Sequence, residues 1–264
     1  MIGSALFRWM DARALLGFDV WEFSVRSLGR RYGKLFLGSV VLRHPWRTLA
    51  GLRAHAARVR RSRHSGVARV NAPSETFSSE LADGEWLVGI GFCQKPLNPL
   101  CPSGRFNHRC WLAGQPPEIE PHPACRQCQV REVLHHALPA GATVHIMTSA
   151  ADLAQDLLLP GLRCSGPRSV VLSLCPYSVA PMTLALAICG LRGLVLSYDR
   201  GDCRDFASWV RADEGDKPER TFLLPDTHRR LLGLLDEVAD LRTERSRPQP
   251  GRFREQGNLY VPSF

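Results

Sequence analysis

The chain has 264 residues, nine of them cysteine, with 44% hydrophobic residues and a formal net charge of +9. This length and apolar content suffice for a packed core, so folding does not depend on disulfide bonds. The odd, thinly spread cysteines and the charged residues interrupting the N-terminal apolar stretch favour a reducing cytoplasm over export. No apolar run reaches the roughly 18 to 20 residues needed to span a bilayer, so we expect a soluble protein.

The positive charge is concentrated in the N-terminal segment. Residues 1–70 hold 14 Lys plus Arg against 3 acids, a net of +11, which leaves 20 of the 34 bases against 22 of the 25 acids, a net of −2, for the rest. Apolar and aromatic residues lie between these arginines, which predicts a basic amphipathic helical extension. It either packs on the body of the protein or makes a peripheral contact with a membrane or an acidic partner. No zinc-finger, homeodomain or RNP motif supports nucleic-acid binding.

Residues 71–84, NAPSETFSSELADG, are polar and contain Pro and Gly, so they are interpreted as a linker. Beyond them, short apolar runs bounded by turn residues predict buried strands at 85–92, 143–149, 169–174 and 194–198. Helical patterns lie between and after these strands, at 127–138, 149–159, 178–189 and 227–242, with a shorter helix around CRDFASWV.

This alternation of strands and helices predicts the fold class. Residues 85–242 should form a small three-layer α/β domain, with a roughly four-stranded parallel sheet covered on both faces. Residues 243–264, rich in Arg, Glu, Pro and Gln, are expected to be a loosely ordered tail.

Most of the cysteines follow the predicted strands. Cys93 comes directly after the first strand and Cys175 after the third, while the long loop that leaves the first strand contains Cys101, Cys110, Cys125 and Cys128. Ligands of open parallel sheets bind beyond the carboxyl ends of the strands. A metal centre at this edge would also organise a loop of unusual length. Cys128 begins a helix, whose dipole is expected to lower the pKa of its thiol.

The spacing of these cysteines favours an iron–sulfur cluster. Only CRQC, residues 125–128, has the C-x2-C form of a zinc knuckle, and the C-x7-C and C-x8-C spacings before it suit a cluster that gathers thiolates from separated loops. We therefore expect an iron–sulfur protein with a redox or accessory role, a [4Fe–4S] cluster and a redox partner protein. The first-choice ligands are Cys93, Cys110, Cys125 and Cys128, with Cys101 and Cys175 as substitutes.

Two other functions remain open. The same cysteines could hold a structural zinc ion in a scaffold or interaction protein whose basic segment docks a membrane or partner. Alternatively, the turn CPYS could make Cys175 the low-pKa nucleophile of a thiol enzyme, although no general base is evident beside it. His108 is a candidate metal ligand or hydrogen-bond donor to one.

The order of these features is similar to that of the cysteine-rich archaeal and bacterial proteins grouped as domain of unknown function 116. The resemblance covers residues 85–200: a cysteine after the first strand, a spaced cysteine, C-x2-C leading into a helix, the turn and strand AGATVHIMTS, and VVLSLCPYS before another helix. It implies an α/β scaffold with a metal or iron–sulfur centre, and it implies no reaction. The residues in the places of the family's cysteines are Cys93, Cys110, Cys125, Cys128 and Cys175. Gln127 and Gln129 stand where the family commonly has a glycine and a further cysteine.

Overall fold

A computed structural model of the chain describes residues 16–61, 67–71, 76–114, 120–201, 203–242, 248 and 252–264. Over this part of the chain the fold is α/β, with a seven-stranded sheet in the order β1-β5-β4-β2-β3-β7-β6. The strands are β1 Val67–Val70, β2 Trp86–Gly91, β3 Thr143–Met147, β4 Ser169–Leu174, β5 Arg192–Ser197, β6 Phe253–Gln256 and β7 Leu259–Pro262.

The four strands predicted from the sequence form the parallel centre of the sheet, β5-β4-β2-β3. The sheet is larger than the expected four strands because β1 pairs antiparallel with β5, and the hairpin of β6 and β7 pairs antiparallel with β3. Strands β2 and β4 are buried along their whole length, as expected where helices cover both faces of a sheet.

Helices cover both faces. The N-terminal part contains α1 Val20–Leu28, α2 Arg31–Phe36 followed by a π-helical turn Leu37–Val41, and α3 Pro45–Arg61. The remaining helices are α4 Phe77–Asp83, α5 Gln129–Ala137, α6 Ala150–Leu153, α7 Leu159–Leu162, α8 Pro176–Cys189, α9 Phe206–Asp213 and α10 Pro225–Leu241. A π-helical segment, Ala154–Leu158, joins α6 to α7.

The connections between the parallel strands reverse direction between β2 and β4. Val130 and Val133 of α5, the helix after β2, pack in the core cluster that contains Val88. In contrast, Leu186 of α8, the helix after β4, packs with Leu172 in the cluster on the other face. The chain therefore diverges to opposite faces beyond the carboxyl ends of two adjacent strands, the position at which open α/β sheets bind their ligands.

The basic N-terminal segment belongs to the core of the protein. Helix α3 packs against α8, and at Gly51 the two approach so closely that a Cβ atom would lie 2.6 Å from the Ile188 side chain. Val70 of β1 and Tyr32 of α2 are buried in the same cluster as Leu172. Residues 16–61 are helical, as predicted, but 67–70 extend the sheet. The predicted helical structure of residues 1–15 and 62–66 concerns positions outside the described residues.

The two segments expected to be irregular contain regular structure. Within the expected linker, residues 77–83 form α4, and its Phe77 and Leu81 are buried. Within the expected loose tail, residues 252–264 form the β6–β7 hairpin, because the alternating pattern of LYVP buries Tyr260 and Pro262 against the sheet. No helix in the described ranges is long and apolar enough to cross a membrane.

A candidate thiol site at the carboxyl edge of the sheet

Seven of the nine thiols belong to the segments that leave the carboxyl ends of the parallel strands, and they fall into two groups. The edge thiols, Cys93, Cys175 and Cys203, follow β2, β4 and β5. The loop thiols are Cys101, Cys110, Cys125 and Cys128, all in the chain between β2 and α5. Cys110 and Cys175 are half-buried and the other five are buried. The sequence prediction grouped Cys93 with the loop, whereas the structure places it with Cys175.

The loop thiols are close enough to influence one another's ionisation. Burial, followed by the charges of Cys128, Cys110 and Cys101, raises the pKa of the Cys125 thiol to about 11. Burial also raises the pKa of Cys110, and the charges of Cys128 and Cys101 act in the same direction. Thiolates at Cys101 and Cys128 thus disfavour ionisation of Cys110 and Cys125, so this group needs a cation to hold its sulfurs ionised.

Cys128 is the N-cap of α5, as the sequence predicted. Burial raises the pKa of its thiol, although the backbone N–H groups of Arg131 and Val130 at the helix start act to lower it. The expectation of a depressed pKa is therefore wrong for the protein alone, because desolvation outweighs the helix terminus. The two N–H groups remain available to a Cys128 thiolate once a cation compensates its charge.

A buried lysine organises the loop around these thiols. Lys95 Nζ donates to Asn107 Oδ1 at 2.7 Å and to the carbonyls of Asn107 at 2.8 Å, Arg109 at 2.7 Å and Gly104 at 3.3 Å. Burial lowers the pKa of Lys95 to about 8, against the opposing charges of Cys101, Cys110 and Cys128. The lysine thus closes the segment between Cys101 and Cys110 and adds a positive charge to it.

The CRQC knuckle is fixed by neighbouring segments. Gln129 Nε2 donates to the Leu223 carbonyl at 2.9 Å, and its Oε1 accepts from Gln94 Nε2 at 3.0 Å. Arg220 donates to the carbonyls of Gln94 at 3.0 Å and Gln127 at 2.8 Å. Gln129, through its side chain, and Gln127, through its carbonyl, therefore position Cys125 and Cys128.

The edge thiols follow neighbouring parallel strands, β2, β4 and β5, and affect one another's ionisation. The Cys175 side chain lowers the pKa of the Cys93 thiol, against the effect of burial, and the Thr221 hydroxyl acts in the same direction. Cys203 acts to lower the pKa of Cys175, but Cys93 and burial together raise it to about 12. The most easily ionised thiol is therefore Cys93, and the prediction of a low pKa for Cys175 is wrong.

A cavity of about 110 Å³ lies beside the edge thiols. Its floor comes from the ends of β2, β3 and β4, and its opposite wall from Phe23 and Tyr32 of the N-terminal helices and Trp209 of α9. All three edge thiols line it, and the rest of the lining is mainly apolar. Phe23 packs edge-to-face on Phe206 and at 5.6 Å from the Trp209 ring, so the wall is an aromatic cluster.

His108 has a structural role in this arrangement. Its Nδ1 is 2.8 Å from the Ile146 carbonyl, and its Nε2 lies 3.2 Å from Thr148 Oγ1, which fastens the loop to the end of β3. The sequence prediction did not include Lys95, Thr221 and Cys203 as site residues. Cys203 could have been identified from the sequence, because it lies six residues after the end of β5. Lys95 and Thr221 are recognised only from the fold.

Among the described residues, no three Cys, His, Asp or Glu side chains are arranged to hold a single metal ion. No protein-family model, curated protein or solved structure matches the chain. The likeness to the domain of unknown function 116 family therefore stays a prediction, and a function must be argued from the site itself.

Proposed function

We propose that the chain is an iron–sulfur protein with a redox or accessory role, whose cluster is held by the loop thiols Cys101, Cys110, Cys125 and Cys128. The observation that carries this proposal is the closeness of four buried or half-buried thiols in one loop, where the charges of Cys101 and Cys128 act to raise the pKa of Cys110 and Cys125. Binding to iron would remove this cost, because metal ligation deprotonates thiols and compensates their charge.

The spacing of the thiols supports a cluster over a zinc ion. A zinc ion needs its four sulfurs together, each about 2.3 Å from the metal. The described residues offer no such compact group, although the charges of Cys101, Cys110 and Cys128 all act on the Cys125 thiol. An iron–sulfur cluster ligates thiolates that stand further apart, because its own iron and sulfide atoms lie between them. Zinc is therefore the second candidate for this site.

The residues around the loop thiols have the properties that such a centre requires. The backbone N–H groups of Val130 and Arg131 point at Cys128, and hydrogen bonds to ligating sulfurs raise the reduction potential of a cluster. Lys95 and Arg220 add positive charge, since the charge of Cys128 acts on the pKa of both. A cluster there would supply one-electron transfer to a redox partner protein.

Anaerobic purification followed by measurement of iron, acid-labile sulfide and zinc tests this proposal. We expect iron and sulfide in equal amounts, and Cys125→Ser or Cys110→Ser should lose most of the iron. Cys164→Ser is the matched control, because Cys164 is exposed and remote in sequence from the loop, so this variant should keep its iron. Stoichiometric zinc without sulfide would select the zinc alternative, and a protein free of both metals would overturn the proposal.

Cys93→Ser separates the two possible ligand sets. The edge position of Cys93 predicts that this variant keeps its iron, whereas loss of iron from it together with retention by Cys101→Ser would restore the ligand set first expected from the sequence.

We also propose that the basic N-terminal segment binds an anionic membrane surface. Leu42, just before α3, and Trp46 and Leu49, in its first turns, are all exposed, Trp46 to 81%. The exposed Arg43 and Arg53 lie in the same stretch of the chain. Exposed aliphatic and tryptophan side chains among arginines match a bilayer interface with acidic headgroups.

A further inference from the structure

The edge thiols differ chemically from the loop thiols. Cys93, Cys175 and Cys203 come from the ends of three different strands and line one cavity, at the point where the helices after β2 and β4 diverge. Gly91 makes this arrangement possible, because a Cβ atom there would lie 2.8 Å from Cys93 Sγ and 2.9 Å from Tyr198 Oη. The fold thus brings one sulfur against the end of the central strand.

The three sulfurs are not equivalent. The neighbouring Cys175 side chain lowers the pKa of the Cys93 thiol against the effect of burial. The buried Thr221 hydroxyl beside it has no hydrogen-bond partner among the described residues. Cys175 and burial raise the pKa of the Cys203 thiol, against the opposing charge of Lys217. A thiolate is therefore favoured at Cys93, with a protonated thiol directly beside it.

We propose that Cys93 and Cys175 form a dithiol–disulfide couple that exchanges with a small, uncharged disulfide bound in the apolar cavity. The pair has the two features that exchange requires: an attacking sulfur, on Cys93, and a second cysteine beside it, since β2 and β4 pair in parallel and both cysteines line the same cavity. The proposal is independent of the iron–sulfur centre, since it uses none of the loop thiols.

The exchange balances in two steps. The Cys93 thiolate attacks one sulfur of the disulfide, which forms a mixed disulfide and releases the first thiolate. Cys175 then loses its proton and attacks Cys93 Sγ, which forms the Cys93–Cys175 bond and releases the second thiolate. The two leaving thiolates take up the protons of the two protein thiols, so two electrons pass from the protein to the substrate. Cys203, which acts to lower the pKa of Cys175, stabilises the Cys175 thiolate during the second step.

The cavity restricts the substrate. Its volume of about 110 Å³ and its mainly apolar lining suit an uncharged molecule of few atoms, whereas a charged peptide disulfide would leave its charges unpaired against Phe23, Leu174 and Met182. Cys175 is half-buried and Cys93 is only 6% exposed, so the substrate must enter the cavity to reach Cys93.

The test treats the reduced full-length protein anaerobically with 2-hydroxyethyl disulfide, then alkylates the remaining thiols and maps disulfides by mass spectrometry. We expect a Cys93–Cys175 disulfide and two released thiols per chain. Cys93→Ser should slow thiol release by about tenfold or more, because the remaining edge thiols stay protonated. Oxidised glutathione, which is large and charged, should react more slowly than the small probe.

Cys175→Ser gives the sharpest readout, since it should stop at the mixed disulfide on Cys93 and release only one thiol. Cys164→Ser should behave as the native protein. Mapping on the native chain needs no variant to fold, and a disulfide that forms only among the loop thiols, such as Cys125–Cys128, would overturn the proposal. Release of two thiols by Cys175→Ser would also overturn it. Iron content measured on the same variants keeps this outcome separate from that of the iron–sulfur proposal.

Discussion

At the scale of single residues, the site depends on the absence of a side chain at Gly91 and on the hydrogen bonds donated by Lys95. Gly91 ends β2 without a side chain, and the Cys93 sulfur and the Tyr198 hydroxyl fill the space that a Cβ would need. Glycine inside a strand is typical of a site that another group approaches closely, and Gly89 and Gly91 both lie in β2. The sequence could not indicate that the approaching group is a thiol.

His145 provides a residue-scale prediction of acid sensitivity. It is fully buried on β3, stacked on His108 at 5.4 Å, with Asp152 and Asp156 as the nearest carboxylates. Burial, followed by the charge of His108, lowers its pKa to about 3. Because the folded state binds this proton less well than the unfolded state, the stability it contributes is complete above about pH 6.5 and is lost towards pH 3, at up to about 1.4 kcal/mol per pH unit.

Urea unfolding at pH values from 7 down to 4 measures this loss. In His145→Leu the acid-dependent part of the unfolding free energy should shrink, since neither ring nitrogen of His145 has a well-formed hydrogen bond to lose. His135→Leu is the control, because His135 is exposed on α5, and it should keep the native pH profile. An unchanged acid dependence in His145→Leu would contradict the assignment.

At the scale of elements, the predicted strands and helices were those with strong patterns. The four parallel strands are continuous apolar runs, which are typical of strands buried on both faces. Ser149 caps α6 by accepting from the Asp152 N–H at 3.1 Å. Strands β1, β6 and β7 are only four residues long, and the first two carry charged or polar residues. Pairing with the sheet makes these segments strands, and that pairing is not visible in a local pattern.

The start of α3 gives a prediction about membranes. Vesicles containing anionic lipid should co-sediment with the protein, and neutral vesicles should not, because the arginines need acidic headgroups. Trp46→Ala should lower the partition coefficient by about tenfold or more, because burial of a large apolar side chain contributes roughly 1.5 to 3 kcal/mol and about 1.4 kcal/mol is a factor of ten. Added salt should weaken binding in the native protein.

A control for this measurement is Leu241→Ala, which removes an exposed aliphatic side chain at the end of α10, outside the basic segment. Its binding should equal that of the native protein. Binding that is the same for neutral and anionic vesicles, or insensitive to Trp46, would rule out the membrane surface and leave an acidic protein as the remaining type of partner.

At the scale of the whole molecule, a strand before the site in sequence and a hairpin after it complete the sheet that carries the site. β1 and the β6–β7 hairpin occupy the two sides of the parallel strands, and Tyr260 of the hairpin reaches the thiol loop, where its hydroxyl accepts from the Cys110 N–H at 2.8 Å. The C-terminal hairpin therefore positions a proposed cluster ligand 150 residues earlier in the sequence.

Tyr260→Phe tests this long-range contact. The variant leaves the half-buried Cys110 N–H without its partner, so the unfolding free energy should fall by about 1 to 3 kcal/mol. Under the iron–sulfur proposal the variant should also lose iron faster when challenged with a chelator. Tyr177→Phe is the control, because Tyr177 packs in the aromatic cluster and its hydroxyl makes no contact with the loop thiols. Equal iron loss from both variants would show that the hairpin does not position Cys110.

The sequence predicted the edge of the sheet at which the thiols lie, because strand order alone brings the segments after parallel strands together. It could not divide them into two groups. That division depends first on the path of the loop, because Lys95 donates hydrogen bonds to three loop carbonyls and to the Asn107 side chain. It depends also on β5, which brings Cys203 beside Cys175. Neither the turn of an irregular loop nor a contact between distant residues follows from a local pattern.

The position of Phe23 in the cavity wall links the outer surface of α1 to the cavity. Helix α1 exposes Val25 and Leu28 on its outer surface. On its inner surface, the same helix forms part of the wall of the cavity beside Cys93. Because α1 is a single helix of nine residues, a movement of its outer surface also moves its inner surface. A molecule that contacts the outer surface of α1 would therefore affect how readily water and small molecules reach the Cys93 sulfur.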